Sequence, residues 1–305
     1  MKQSVTITTT KEKLEEMRNY YADFIVDNKG EYIFFQADKN HIIITAYDSK
    51  KANKKVTFNG EGALLEAQIW DPNITIKETK EKVKEQWLFF DDQIGSDEVG
   101  VGDFLGPMIV VAAYVSHNDI KRLMELGIHD SKKMSDKQIL EVGPTLVKEF
   151  KFSRLTLNNK KYNEMLTKGE NLNSMKAKMH NRALLNMHKE HPHVLNIFVD
   201  QFVNEDTYYK YLNDEKEEQV KDIVFRTKGE SYFPSVALAS VIARYAYLLE
   251  MEKLSEKYGM EFPFGASNKV TEFAKKFIKK YGEKEFENIA KKNFANYREV
   301  LESLL

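Results

Sequence analysis

The sequence predicts an α/β protein preceded by a smaller α+β unit, and three observations carry this. From residue 93 onward, short apolar runs alternate with stretches whose apolar residues recur every three or four positions, which is the signature of strands alternating with helices in an α/β sheet. The first seventy residues instead follow the order β-α-β-β-β-α. The chain has 305 residues, enough for two domains at about 150 residues each, and a domain of ~200 residues hides roughly 70% of its unfolded surface without staples.

In the first unit, Ser4 to Thr8 is a short β-branched run, and Thr9 and Thr10 offer an N-cap. Leu14, Met17, Tyr21, Phe24 and Ile25 then recur at helical spacing, so a helix is expected over Lys11 to Asp27. Tyr32 to Phe35 and His41 to Tyr47 read as a hairpin joined by Ala37 to Asn40. Val56 to Phe58 is a further strand closed by Asn59 and Gly60, and Glu61 to Trp70 reads as a second helix. These elements give a small sheet with helices on one face. The domain boundaries expected are 1–70, a linker over 71–90 containing Pro72 and a charged run, and a second domain over 91–305.

The second unit opens with Gln93 to Glu98 and continues into Pro107 to Val115, an apolar run long enough for a strand buried on both faces. Further strands are expected at Phe152 to Leu157, Val194 to Asp200 and Ile223 to Thr227. Helices are expected over Leu172 to His188, with Met175, Met179, Ala183 and Met187 in register, and over Ser235 to Tyr258, stopped by Gly259.

Composition narrows the function. With no cysteine, disulfides, Cys-ligated zinc, iron–sulfur clusters and thiol nucleophiles are excluded. The absence of a signal-like N-terminus or an apolar run of about 18 residues points to a cytoplasmic protein with no membrane partner. The 46 Lys and Arg against 47 Asp and Glu do not advertise a polyanion, but binding one needs only a local basic surface. Lys50, Lys51, Lys54 and Lys55 fall in six residues free of acids.

Four carboxylates follow strand-like runs: Asp97 and Glu98 on the first, Asp200 after Val194 to Val199, and Glu230 after Phe225 to Gly229. Active sites of open α/β sheets collect at strand ends, and Mg2+ takes oxygen ligands, so such a set suits phosphoryl-transfer chemistry. Singly, each is also what a solvated loop acid looks like. The stretch Gly100 to Gly106 is not a dinucleotide fingerprint, because Pro107 and a β-branched run follow where a helix should start. It reads as a tight turn whose backbone can approach a ligand closely. His188, His191 and His193 have no partner ligands at zinc-like spacing, so a solvated surface is expected there. Neither Gly-x-Ser-x-Gly nor a P-loop is present.

Taken in order, these segments resemble a known family. Ile94-Gly95-Ser96-Asp97-Glu98-Val99-Gly100-Val101-Gly102-Asp103 resembles the opening motif of bacterial ribonuclease HIII, and Asp130-Ser131-Lys132-Lys133 the Asp-Ser-Lys segment of type 2 ribonucleases H. Val199-Asp200-Gln201-Phe202 is similar to the third-carboxylate motif, and Thr227 to Ser231 with Val236 to Arg244 to the fourth carboxylate and its helix. Pro263 to Ser267 is similar to a further family segment. The sister family, ribonuclease HII, carries Arg where Val101 stands and usually Asp where Glu230 stands, so both positions resemble the HIII type. Gly229 beside Glu230 and Leu238 in the following helix depart from the HIII pattern without touching ligand chemistry.

The resemblance implies a ribonuclease H-like catalytic domain with a mixed central sheet, flanking helices and C-terminal helices, behind a TATA-binding-protein-like N-terminal domain. It implies an endonuclease cutting the RNA strand of RNA–DNA hybrids to 5′-phosphate and 3′-hydroxyl ends. Asp97, Glu98, Asp200 and Glu230 would hold two Mg2+ ions, with Mn2+ as the alternative, and Asp97 would bridge them. The backbone of Gly100, Val101 and Gly102 would approach ribose 2′-hydroxyls, the groups that separate RNA from DNA. Lys132 and Lys133 are candidates for phosphate contacts. For the N-terminal unit, the strands bearing Tyr32, Phe34, Ile43 and Tyr47 and the Lys50, Lys51, Lys54 and Lys55 cluster suggest duplex binding. A monomer without an obligate protein partner is expected. The competing readings are a ribonuclease HII-like enzyme cutting at single ribonucleotides and a non-catalytic nucleic-acid-binding protein.

Overall fold

The computed structural model describes residues 3–27, 30, 32–48, 53–72, 74, 87–213 and 218–303. The chain divides into two compact units, 1–84 and 85–305.

In the first unit, β1 (Gln3–Thr9) leads into α1 (Lys11–Tyr20), whose first turn is capped by the Thr10 hydroxyl accepting from the Lys13 amide at 3.3 Å. Then come β2 (Ile33–Lys39), β3 (Ile42–Tyr47), β4 (Lys54–Gly60) and α2 (Ala63–Gln68). The sheet is antiparallel in the order β1-β4-β3-β2. Leu14 and Met17 of α1 and Ala63 and Ala67 of α2 pack on Val5, Ile7, Phe35, Ile44, Val56 and Phe58, each large side chain contributing ~1.5–3 kcal/mol by leaving water.

Two expectations are corrected in this unit. The helix ends at Tyr20, not Asp27: Tyr21 leaves helical geometry at φ −96° and ψ 15°, its ring turns inward, and its hydroxyl donates to Glu66 (2.9 Å) and accepts from Trp70 (2.9 Å). A single 3-10 turn (Ala22–Phe24) follows, and Ile25 pairs with the edge of β2 at Ala37, leaving Phe24 and Ile25 on the surface. The hairpin turn is Asn40-His41, both at positive φ (53° and 63°), the two-residue geometry that matches strand twist. Strand β2 therefore runs through Ala37, which is buried.

The second unit is built on the mixed sheet β7-β6-β5-β8-β9. β5 (Gln93–Val99) pairs antiparallel with β6 (Met108–Val115) and parallel with the later β8. Next along the chain are α3 (Asp119–Glu125), a 3-10 helix over Ile128–Lys133, α4 (Asp136–Glu149), β7 (Phe152–Leu157), α5 (Asn159–Thr167) and α6 (Leu172–Glu190). Then follow β8 (Ile197–Asp200), α7 (Glu205–Leu212), β9 (Ile223–Arg226) and a 3-10 turn at Gly229–Ser231. The chain ends with α8 (Pro234–Tyr258), α9 (Asn268–Tyr281), α10 (Glu283–Phe286) and α11 (Ala295–Glu302). Gly259 caps α8 in the left-handed region at φ 55°.

β6 is buried on both faces, as its unbroken apolar run requires. Ile109, Val111 and Ala113 meet α8 and the C-terminal helices, while Val110 and Ala112 meet α6 and α7. The β5–α8 approach is close enough that a Cβ on Gly95 would stand 2.4 Å from Ser235 Oγ and 2.5 Å from the Val236 nitrogen. Residues 87–90, placed in the linker by the sequence, belong to this unit: Trp87 is buried in its core and the Leu88 amide donates to the Tyr232 carbonyl. β8 begins at Ile197 and not Val194, because Val194 closes a turn on His191. Among the described residues no helix is long and apolar enough to cross a membrane.

Candidate active site

The parallel strands β5, β8 and β9 lie side by side, so their C-terminal ends share one edge of the sheet. Asp97 and Glu98 sit near the end of β5, Asp200 is the last residue of β8, and Glu230 lies on the 3-10 turn after β9. The four acids the sequence singled out are therefore neighbours. Asp97 shows it most clearly: burial, followed by the charges of Glu98 and Asp200 and also that of Glu230, holds its carboxyl well above the ordinary range. Asp200 is raised by burial, against the hydrogen bond it accepts from the Gly229 amide at 2.8 Å.

Glu98 has the opposite environment. Burial alone would raise it, but His180 Nε2 at 2.9 Å and Lys176 Nζ at 2.6 Å pull it down to about 2. Both partners come from α6 and are buried, and Ser96 Oγ lies 2.8 Å from the other His180 nitrogen. On the far side, Lys132 pairs with Glu230 Oε1 at 2.6 Å and donates to Ser231 Oγ at 3.3 Å. Trp87 Nε1 holds the Glu230 carbonyl at 3.3 Å.

Two features fit this set to a hard divalent cation. Glu230 Oε2 is buried without a hydrogen-bond partner, and the charges that dominate Asp97 are all carboxylates. Oxygen-only donors suit Mg2+ and Mn2+. As the side chains stand, no three His, Asp or Glu groups among the described residues form a closed metal cage, with Glu98 bonded to α6 and Glu230 to Lys132.

A family model described as Ribonuclease HII matches residues 94–297, and one described as Domain of unknown function (DUF3378) matches residues 4–84. Over its full length the chain is 37% identical to the Ribonuclease HIII of Bacillus cereus, covering 100% of both proteins, and 38% identical to that of Bacillus mycoides, covering 97% of each. The chain belongs to the ribonuclease HIII family. Among solved structures it is similar to Bst-RNase HIII in complex with Mn2+, with 33% identity, a TM-score of 0.69 and 99% of each chain covered. Members of the ribonuclease HIII family are metal-dependent endoribonucleases acting on RNA–DNA hybrids, and this is the activity of the chain described here. The family uses divalent ions and a two-metal mechanism.

The remaining residues singled out by sequence fall in different places. Gly100 opens the turn after β5 at φ 83°, with Gly102 exposed and Val101 half-buried. Lys133 ends the same 3-10 helix as Lys132. Lys50 and Lys51 lie outside the described residues. Lys54 is buried and paired with Asp48 at 2.5 Å, while Lys55 is exposed. The histidines expected on a solvated surface are only partly so: His193 is exposed, but His191 stacks on Tyr114 at 3.9 Å. Sequence reasoning missed Lys176 and His180. Their signal was a lysine and a histidine four residues apart, beside the methionine stripe of one helix.

Proposed function

We propose that hybrid cleavage takes place at the shared end of β5, β8 and β9, with Asp97, Glu98, Asp200 and Glu230 as the catalytic, metal-holding set. The observation that carries this is the meeting of the four acids at the ends of neighbouring parallel strands, with Glu230 Oε2 buried and unpartnered; the other three charges raise Asp97, a repulsion that cations in the site would relieve. Divalent ions held there would lower the pKa of the attacking water and neutralise the departing 3′-oxygen, leaving 5′-phosphate and 3′-hydroxyl ends. The chain's own contributions are positional. Lys176 and His180 fix the Glu98 carboxylate, the Gly229 amide fixes Asp200, and Trp87 fixes the backbone of Glu230. Lys132, 40% exposed at the rim of the acids, supplies a charge for a phosphate, with Lys133 beside it. The turn Gly100-Val101-Gly102 brings backbone to the ribose 2′-hydroxyls.

The first unit supplies duplex binding through its helix-free face. Strand register lines up Thr6, Thr57 and Gln36 in one row across that face, about a buried Thr45 whose hydroxyl accepts from Gln36, and Thr8, Lys55 and Tyr47 in the next. Hydroxyl, amide and ammonium donors in rows suit a sugar–phosphate surface. Lys50 and Lys51 belong to the same assignment by sequence. On this reading the enzyme acts as a monomer, in the cytoplasm, without an obligate partner.

The test uses four end-labelled duplexes with and without Mg2+: an RNA–DNA hybrid, RNA–RNA, DNA–DNA, and DNA with one ribonucleotide. The expected result is metal-dependent cutting in the RNA of the hybrid, lost in Asp97→Asn while hybrid binding persists. Cutting at the single ribonucleotide moves the assignment to the HII type. An Asp97→Asn variant that still cuts removes the site.

A further inference from the structure

Lys291, between α10 and α11, is fully buried. Its ammonium donates to the carbonyls of Asp103 and Gly106, both at 2.7 Å, and lies 5.9 Å from the Tyr162 ring and 6.0 Å from that of Phe294. Burying an ammonium is costly, and burial lowers this one to about 7 against the opposing pull of Asp103. A fully buried amine given two backbone carbonyls as partners points to a task, and those partners show which.

Four successive carbonyls are taken by fixed donors. Lys291 Nζ holds those of Asp103 and Gly106, the Lys291 amide holds Phe104 at 3.0 Å, and the Tyr247 hydroxyl holds Leu105 at 3.3 Å. The Phe104 amide donates to Gly265 and the Gly106 amide to Ile289. This segment begins immediately after Gly102. Upstream, β5 is locked to β6 as far as Val99 opposite Ile109. The turn Gly100-Val101-Gly102 is thus suspended between two immobilised stretches. A Cβ added at Gly102 would meet nothing within 4 Å, so the glycine there is not required by the protein's own packing.

We propose that Lys291 is a positioning residue for RNA recognition: by clamping Asp103 to Gly106 it sets the height at which the Gly100–Gly102 backbone meets a ribose 2′-hydroxyl. The inference rests on the assignment of that turn to the RNA strand. Without the ammonium, two buried carbonyls lose their donor and the turn loses its downstream anchor, while no metal-site acid loses a partner.

The experiment uses the full chain carrying Asp97→Asn. Affinity is measured for an RNA–DNA hybrid and a DNA–DNA duplex of one sequence at one salt concentration, and a Mn2+ titration followed by EPR is made on the same changes with Asp97 retained. Three further changes are compared: Gly102→Ala, Lys291→Met and Tyr247→Phe. Gly102→Ala and Lys291→Met are each expected to cut the hybrid-over-DNA preference about tenfold, and Tyr247→Phe about threefold. DNA–DNA affinity and Mn2+ binding should stay unchanged. If Gly102→Ala leaves the preference intact, the turn assignment fails. If Gly102→Ala acts but folded Lys291→Met does not, or both duplexes weaken equally, the role of Lys291 is overturned. Should Lys291→Met not fold, Tyr247→Phe, which preserves the ring volume, decides by the same criterion.

Discussion

The four-stranded sheet of the first unit is covered on one face, by α1 and α2, and presents rows of Thr, Gln and Lys on the other. The five-stranded sheet of the second unit is covered on both faces, by α8 on one side and by α6 and α7 on the other. What the covered sheet offers a ligand is its strand ends, and the four carboxylates stand there. An open face supplies area for a long, shallow partner. A sheet end supplies a point where charge can be concentrated against a low-dielectric interior. A nuclease of duplexes needs both, and on the reading proposed above this chain divides them between its two units.

The largest effect should come from the point site. Lys176→Met leaves Glu98 buried with only His180, and removing one partner of a buried pair costs about 3 kcal/mol or more. Urea unfolding followed by the second unit's signal checks it, and an unchanged midpoint would show that Glu98 turns to solvent. Next, deletion of residues 1–70 should weaken hybrid binding about tenfold or more while the Mn2+ site persists in EPR. Unchanged affinity would break the division between the units.

A third, smaller effect is a pH dependence. Lys291 faces the Asp103 carboxyl, with the Tyr162 phenol, raised by burial, beside it. Its folded value of about 7 lies below the ordinary lysine range, so above pH 7 the unfolded chain holds a proton that the native chain has released. Stability relative to Lys291→Met should therefore rise with pH from about 7 to about 10, by at most ~1.4 kcal/mol per unit. A flat difference in thermal unfolding across that window contradicts it. The smallest effect is expected on the open face: Lys55→Gln should reduce the slope of log affinity against log salt by about 1 and leave cleavage of bound hybrid unchanged.

Much of this was legible in the sequence where a single local rule decides the outcome. The apolar run from Met108 to Val115 could only be a strand buried on both faces, and Gly259 stopped α8 where expected. The four acids were visible because each follows a strand-like run. Their convergence depends on β5, β8 and β9 being neighbours in one sheet, which no local pattern specifies. The same holds for the lysines. Lys54 and Lys55 look alike in sequence, but β4 alternates its faces, sending one into the Asp48 pair and the other outward. No local pattern marks Lys176 or Lys291 as buried, and their burial comes with contacts to Glu98 and to Asp103 and Gly106 across long stretches of chain. Tyr21 extended the helical period of α1 correctly as an inward-facing residue, yet its backbone already leaves helical geometry, and its partners Glu66 and Trp70 lie far along the chain.

The clamp on the glycine turn joins parts of the chain 188 and 185 residues apart. During synthesis, all four carboxylates emerge long before Lys291 does. A nascent or truncated chain ending anywhere between residues 231 and 290 carries the full acid set and lacks the ammonium that fixes the turn. Contacts of such sequence separation form late, after the cost of closing the intervening loop. The order of translation thus makes the turn's anchoring one of the last steps of maturation, and an incomplete ribonuclease carries its four acids in sequence while its turn is unset.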